Sequence, residues 1–265
     1  MLRSLKAYPA LARAAWERAA AYRAVFAVTL LNAAFPLVMM AIWVELAREA
    51  PVAGFSAEDF IGYYLAAVLV RRITAASVTM ELERAIHSGE LSTHLLRPLH
   101  VVHVYLVRSL VTRSFAAGLT LLAAALGVWL TPGDQYDLRP LPTMLFIAAC
   151  ILGALFEFFV QFGIGGLAFW IAQVQGISAA FQFVKAFLGG YIVPLALFPS
   201  GLGQILIWTP FAVSIGMPVE ILTGRMGSAE AIARLLAGAG WVSLSALGAH
   251  WVWRAGLRAY SAAGA

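Results

Sequence analysis

The sequence predicts an all-α integral membrane protein with six membrane-spanning helices, and two observations carry that prediction. Hydrophobic residues make up 62% of the 265 residues and charged residues only 12%, against about 25% charged in a typical soluble domain. The apolar residues also form runs long enough to cross a bilayer, which takes about 20 residues of helix. A soluble domain is therefore excluded, and the net charge of +5 does not indicate a nucleic acid partner.

The apolar runs define the order of the elements. We predict spans at 24–46, 60–80, 114–130 with an extension back toward residue 105, 141–173, 176–198 and 235–253. Pro36 predicts a kink in the first span. Between the fifth and sixth spans, prolines break an apolar stretch, so 199–230 is predicted to hold two short re-entrant helices on the outer side. Such irregular backbone is tolerated only where protein covers it or a cavity borders it.

The distribution of positive charge predicts the orientation. Of the 18 Lys and Arg residues, 11 lie near one set of span ends and four near the other, so both termini are predicted to be cytoplasmic. Residues 1–23 are basic and amphipathic, and we predict an interfacial helix that lies on the membrane. The alternative is a frayed cytosolic tail. The rest of the single transmembrane domain divides into spans one and two (24–82), an elbow (83–99), spans three to five (100–198), the re-entrant part, and the sixth span with its tail (231–265).

Four charged residues fall at membrane depth. Arg71 and Arg72 lie in the second span, Lys185 in the fifth and Glu157 in the fourth. Each of the three cations would cost about 2.5 to 3.5 kcal/mol at the centre of a lipid-facing helix, so they should face protein, water or a partner. Glu157 is the only acid at that depth and can neutralise one of them.

Helical spacing predicts where that contact forms. Glu157 and Gln161 are one turn apart, while Ser178, Gln182 and Lys185 follow one another at i, i+4 and i+7. If these stripes meet, Glu157 contacts Lys185. The arginine pair is then left for an anionic group, a second subunit or lipid headgroups. The alternative is that the arginines snorkel and that Glu157 only joins two helices.

The elbow after the second span is the most polar part of the chain. Gly89 can take the left-handed conformation that ends a helix, and Pro98 stops the next one, which leaves a segment of about two turns. Leu91, Leu95 and Leu99 share a face of that segment, and leucines exposed to water indicate a protein partner. The alternative is a segment that lies flat on the membrane or on its own chain.

The histidines of this region do not form a metal site by pattern. His87, His94, His100 and His103 have no carboxylate or cysteine at ligand spacing, and Gly89 interrupts the helix they would need. We predict that they are solvated loop residues.

The elbow carries a resemblance to a known family. Its residues match the passage Ile-x-x-Gly-Glu-Leu-Ser-x-x-Leu-Leu-Arg-Pro-Leu at Ile86, Gly89, Glu90, Leu91, Ser92, Leu95, Leu96, Arg97, Pro98 and Leu99. With the basic N-terminus, six spans and proline-broken outer helices, the chain resembles the integral membrane subunits of ABC-2 type exporters. Within that family it resembles the branch of small permeases related to viologen-type exporters. The resemblance covers nearly the whole chain.

The resemblance implies a transport subunit rather than an enzyme. The elbow would be the coupling helix, which binds a separate ABC ATPase present in two copies. ATP and Mg²⁺ would bind to that partner, and no cofactor is expected in this chain, which has no glycine-rich phosphate loop. A second permease, either the same chain or a paralogue, would complete a dimer in the bacterial inner (cytoplasmic) membrane.

The expected function is export of a hydrophobic or amphipathic substrate such as a drug, a lipophilic ion or a lipid. The expected substrate pathway comprises Arg71, Arg72, Glu157, Gln161, Gln182 and Lys185. Two other functions stay open: an ion-coupled secondary transporter that uses the four membrane-depth charges, and a non-transporting membrane scaffold. The first of these would be expected to show inverted repeats, and none is evident between the two halves.

Overall fold

The computed structural model of the protein describes residues 35–96, 100–111 and 135–260, and helices dominate these ranges. The helices are α1 Phe35–Leu46, α2 Ala57–Thr74, α3 Val78–His87, α4 Leu91–Leu95, α5 Val101–Val111, α6 Pro140–Gly166, α7 Gln175–Leu188, α8 Ser200–Leu206, α9 Pro210–Ser214, α10 Gly216–Leu222 and α11 Ser228–Ala259. Two 3₁₀ turns cover Leu167–Phe169 and Leu195–Leu197. No β-strand occurs in the described ranges, which confirms the all-α fold class.

Several predicted features lie outside the described residues. They are the interfacial helix at 1–23, the start of the first span, the third span at 114–130, the tail at 261–265, and Arg97, Pro98 and Leu99 of the elbow. The count of six spans therefore stays a prediction.

Three helical segments of the described chain are long and apolar enough to cross a membrane. They are Ala57–His87, Pro140–Phe169 and Ser228–Ala259, with mean hydropathies of 1.3, 2.3 and 1.4. They correspond to the predicted second, fourth and sixth spans. The 27 residues of α6 give a helix of about 40 Å, and both α11 and α3 pack along it.

The second span differs from its prediction because it is two helices. A capping box starts α2, in which the amide of Asp59 donates to the Ser56 hydroxyl at 3.2 Å and the amide of Ser56 donates to the Asp59 carboxylate at 2.8 Å. The helix ends at Thr74, whose hydroxyl donates to the carbonyl of Val70 at 3.0 Å. Such a bond back to the preceding turn bends helices. After the break at residues 75–77, α3 runs on to the elbow.

The fifth span also ends early. Its helix, α7, stops at Leu188, ten residues before the predicted end, and at 14 residues it is about 21 Å long. Glycines explain the stop. A Cβ on Gly189 would lie 2.7 Å from the carbonyl oxygen of Phe211, and Gly190 has φ +89°, a conformation that favours glycine.

The stretch between the fifth and sixth spans contains three short helices, α8, α9 and α10, rather than the two predicted. Pro210 begins α9 and Gly216 begins α10. Both helices pack against α6, where Gly153 lets the chain approach: a Cβ there would lie 2.8 Å from the carbonyl oxygen of Val213. Helices α9 and α10 are therefore covered by protein, whereas most residues of α8 are exposed.

The apolar core forms along α6 in clusters at its two ends. At the end nearer α2, Tyr63 and Tyr64 are fully buried, and their hydroxyls donate to the carbonyls of Gly190 at 2.6 Å and Ile192 at 2.8 Å. At the elbow end, Leu82, Leu91 and Phe162 are the buried centre of a second cluster. The buried polar residues of α6, Glu157 and Gln161, directly precede Phe158 and Phe162 of this second cluster.

Candidate functional site: a buried polar network and an exposed elbow

The buried polar network is centred on one ion pair. The Lys185 ammonium lies 2.8 Å from Oε2 of Glu157, and these residues are 4% and 0% exposed. The other carboxylate oxygen of Glu157 accepts from the side-chain amides of Gln182 and, at 3.4 Å, Gln161. The predicted contact between α6 and α7 is thus present, and each charge is neutralised by the other.

The network extends to a third helix through Gln161. Its side-chain oxygen accepts from the hydroxyl of Ser178 on α7 at 2.8 Å and also contacts the hydroxyl of Thr79 on α3. The Thr79 hydroxyl lies 2.8 Å from the backbone carbonyl of Gln161 as well. The network therefore joins α3, α6 and α7, and Thr79 is a member that the sequence pattern did not indicate.

Arg71 and Arg72 lie outside this network. Both belong to the last turn of α2, where positive charge interacts favourably with the helix dipole. The Arg71 guanidinium stacks 4.4 Å from the centroid of the Tyr191 ring, while Arg72 is exposed. Within the described chain neither arginine forms an ion pair with Glu157, so the four charges do not make one relay.

A cavity of about 210 Å³ adjoins the network where the start of α3 meets α6 and α7. Its polar lining consists of hydroxyl and amide groups from Ser77, Thr79, Gln161, Gln175 and Ser178. Ser77 and Gln175 are exposed, whereas Gln161 is buried. The cavity thus offers hydrogen bonds and no net charge to a molecule that enters it.

A second, larger cavity of about 360 Å³ lies beside α8, α10 and α11. The charged side chains that line it form ion pairs. Arg234 forms ion pairs with Glu220 at 2.8 Å and with Glu230. Arg225 lies 3.3 Å from Asp59. These pairs connect α2, α10 and α11, so we interpret them as structural.

The elbow has the predicted turn and a different leucine arrangement. Gly89 has φ +77°, and α4 follows it as a single short helix of five residues. Leu91 is fully buried in the cluster that also contains Ile86, so it does not share an exposed face with Leu95. The exposed apolar side chains are Leu95 at 41% and Leu96 at 86%.

Most polar side chains of the elbow contact other groups of the same chain. The Ser92 hydroxyl donates to the carbonyl of Gly89 at 2.7 Å, and the His94 ring lies 3.8 Å from the Glu90 carboxylate. The side chain of His94 is only 11% exposed, and Nε2 of His87 lies 3.1 Å from the carbonyl oxygen of Ala168. The prediction of solvated histidines is therefore wrong for His94, whereas His87, His100 and His103 are exposed.

Comparison with protein families identifies the chain, whereas the comparisons with curated proteins and with solved structures returned no match. The family model described as "ABC-2 family transporter protein" matches residues 31–264. Members of this family are membrane transport components and not catalysts. The chain therefore belongs to the ABC-2 family, as a membrane-spanning permease of an ABC exporter.

Proposed function

We propose that this permease takes its energy from a separate ATPase subunit bound at the elbow and moves a hydrophobic or amphipathic substrate out of the cytoplasm. The observation that carries the proposal is the exposure of Leu95 and Leu96, 41% and 86%, beside a turn fixed by Gly89. Large apolar side chains grouped on a polar surface are typical of protein contact sites. Because Leu91 is buried beneath them, the contact surface is supported by the core of the chain.

The substrate pathway of the proposal includes the cavity beside the polar network. Since Glu157 and Lys185 neutralise each other, the cavity lining favours an uncharged hydrogen-bonding group over a free charge. We therefore favour an amphipathic drug-like or lipid-like substrate over a lipophilic ion. Arg71 and Arg72 lie at the border of the pathway, where α2 ends and α3 begins.

The working assembly would contain two ATPase subunits and two permeases in a bacterial inner membrane, with both termini cytoplasmic. ATP and Mg²⁺ would bind to the ATPases. Only 17% of the most apolar stretch of α11 is buried within the chain, which leaves a large surface for lipid and for a second permease. That second permease is either another copy of this chain or a paralogue.

Co-purification tests the contact with the ATPase. The permease is co-expressed with candidate ABC ATPases of the same genome, and wild type is compared with Leu95→Asp and Leu96→Asp. A charge on the contact surface should lower ATPase capture at least about tenfold, as expected when a central apolar contact of an interface is lost. Leu138→Asp is the matched control, because Leu138 is also exposed (66%) but precedes α6 at the predicted opposite side of the membrane. Normal capture by both elbow variants, or transport by the permease alone, would overturn the proposal.

Transport of dyes in proteoliposomes with the ATPase tests the substrate class. Uncharged Nile red should be transported in preference to cationic rhodamine 6G and anionic anilinonaphthalene sulfonate. Replacing Gln161 by Leu should lower Nile red transport by about fivefold, the effect of losing roughly 1 kcal/mol of buried hydrogen bonding. Gln204→Leu is the control, since Gln204 is an exposed amide on α8. Preference for rhodamine 6G would refute the neutral site.

A further inference from the structure

Helix α3 carries three polar side chains on one face, between the elbow and the polar network. Thr79, Glu83 and His87 follow at i, i+4 and i+8, so they lie one above the other along the helix. Thr79 and Glu83 are buried. Their face is turned toward α6 and toward the connection that leads from α6 to α7.

Each of the three contacts a different part of the neighbouring chain. Thr79 bonds to Gln161 in the polar network, Glu83 accepts from the backbone amide of Val174 at 3.3 Å, and His87 contacts the carbonyl oxygen of Ala168 at 3.1 Å. These contacts hold α3 against α6, the 3₁₀ turn and the start of α7.

The contact made by Glu83 acts on α7 directly. Val174 is the residue before α7, and the first amides of a helix have no partner within the helix. A carboxylate at this end also interacts favourably with the helix dipole. The position of α7, which carries Ser178, Gln182 and Lys185, is thus linked to the position of α3.

The elbow moves with α3 because the two are packed together. Only Ser88, Gly89 and Glu90 separate the end of α3 from α4, and Leu91 lies in one buried cluster with Ile86. A displacement of α4 by a partner therefore displaces α3 as well.

We propose that Glu83 is the positioning residue that transmits movement of the elbow to α7 and thereby to the polar network. This inference rests on the proposed coupling to an ATPase. It assigns Glu83 a place in transport without contact with substrate or nucleotide.

Spin-label distances in the complex with the ATPase test the inference in a Cys150→Ala background, because Cys150 is the only cysteine. One label pair, Arg84→Cys with Ile177→Cys, joins α3 to α7. A second pair, Leu138→Cys with Ile177→Cys, reports movement of α7 relative to the residues before α6. All three sites are exposed.

We expect ATP binding to change the second distance and to leave the first within about 2 Å, the usual size of a helix shift. With Glu83→Ala the change in the second distance should be lost, and Glu83→Gln, which keeps the acceptor oxygen, should restore it. Glu81→Ala is the control, because Glu81 is on the same helix and pairs instead with Arg108 at 3.3 Å.

The outcomes separate this inference from the proposed function. If the wild-type permease does not capture an ATPase, the proposed function itself is contradicted. With capture intact, the inference is refuted if α7 does not move on ATP binding or if it moves equally in Glu83→Ala. It is also refuted if the distance from α3 to α7 changes by more than about 2 Å in the wild type. The last measurement needs no Glu83 variant and so does not depend on how that variant folds.

Discussion

Replacing Lys185 by Met removes the cation of the buried pair and leaves Glu157 without a counter-charge. Glu157 has no exposed surface, so its carboxylate cannot be solvated by water. Breaking a buried ion pair by removing one partner costs about 3 to 5 kcal/mol. Two side-chain amides, of Gln161 and Gln182, still donate to the carboxylate, so we expect the lower end of that range, about 3 kcal/mol of unfolding free energy.

The converse substitution, Glu157→Gln, should cost a similar amount, about 3 kcal/mol. The new amide keeps an acceptor oxygen for Lys185 but no counter-charge, and the centroid of the Phe181 ring lies 6.0 Å from the ammonium, at the outer limit of a cation–π contact. The double variant lacks both charges, and neutral replacement of a whole buried pair is often tolerated. We expect the double variant to lose about 3 kcal/mol less unfolding free energy than the two single variants lose together. This difference is at the upper end of the coupling energies measured for residue pairs.

Unfolding in mixed dodecyl maltoside and sodium dodecyl sulfate micelles, followed by tryptophan fluorescence, measures these free energies. The exposed pair Glu45 and Arg48, 3.1 Å apart and 69% and 67% exposed, provides the control cycle, with an expected coupling below about 0.5 kcal/mol. Additivity of the Glu157 and Lys185 substitutions to within that margin would show that the pair does not stabilise the fold and would refute the reasoning.

Three further predictions concern the elbow and the packing of α3. Gly89→Val should lower the unfolding free energy by about 1 to 2 kcal/mol, because valine is strained in the left-handed backbone conformation. A steric clash does not contribute, since no atom lies within 4 Å of the added Cβ. An unchanged unfolding free energy in the same assay would contradict this prediction. Gly165→Ala should lower the unfolding free energy by about 1 to 3 kcal/mol through overpacking, because the new Cβ would lie 3.1 and 3.2 Å from atoms of α3. A variant as stable as the wild type would mean that α3 can shift freely. Leu91→Asp should prevent stable folding because it buries a charge, whereas Leu96→Asp should change stability by less than about 0.5 kcal/mol and lower ATPase capture at least about tenfold. Similar thermal stability of the two variants would contradict the difference in burial between Leu91 and Leu96.

The contact at the centre of the network was predictable because few residues could make it. One acid lies at the depth of three cations, and helical spacing aligns Glu157 with Gln161 and Lys185 with Gln182. The choice of Lys185 over the arginines also follows from spacing, because only Lys185 lies on a stripe of polar residues.

The contributions of α3 were not predicted because they depend on tertiary contacts. Thr79 and Gln161 are 82 residues apart in the chain, and Glu83 and Val174 are 91 apart. Glu83 also lies close to the basic residues of the elbow, where an acid is ordinarily solvated. A signal was present in the i, i+4, i+8 spacing of three polar residues beside Leu82 and Ile86, which lie on the same buried side of the helix.

The break between α2 and α3 had no sequence signal of the usual kind. Residues 75–77 contain neither proline nor glycine, and the bend depends on the Thr74 hydroxyl and on the position that α6 imposes on α3. Similarly, Arg225 and Arg234 contributed to the orientation prediction only as flanking charges. Their ion pairs depend on how α2, α10 and α11 meet.

That break gives the two ends of α7 different attachments. The start of α7 is tied to α3 through Glu83, whereas the chain just beyond its end is tied to α2 through the hydroxyls of Tyr63 and Tyr64. Because α2 and α3 are separate helices, a rotation of α3 need not turn α2. A displacement of the elbow would then tilt α7 about its C-terminal end. Lys185, which lies close to that end, would move less than Ser178.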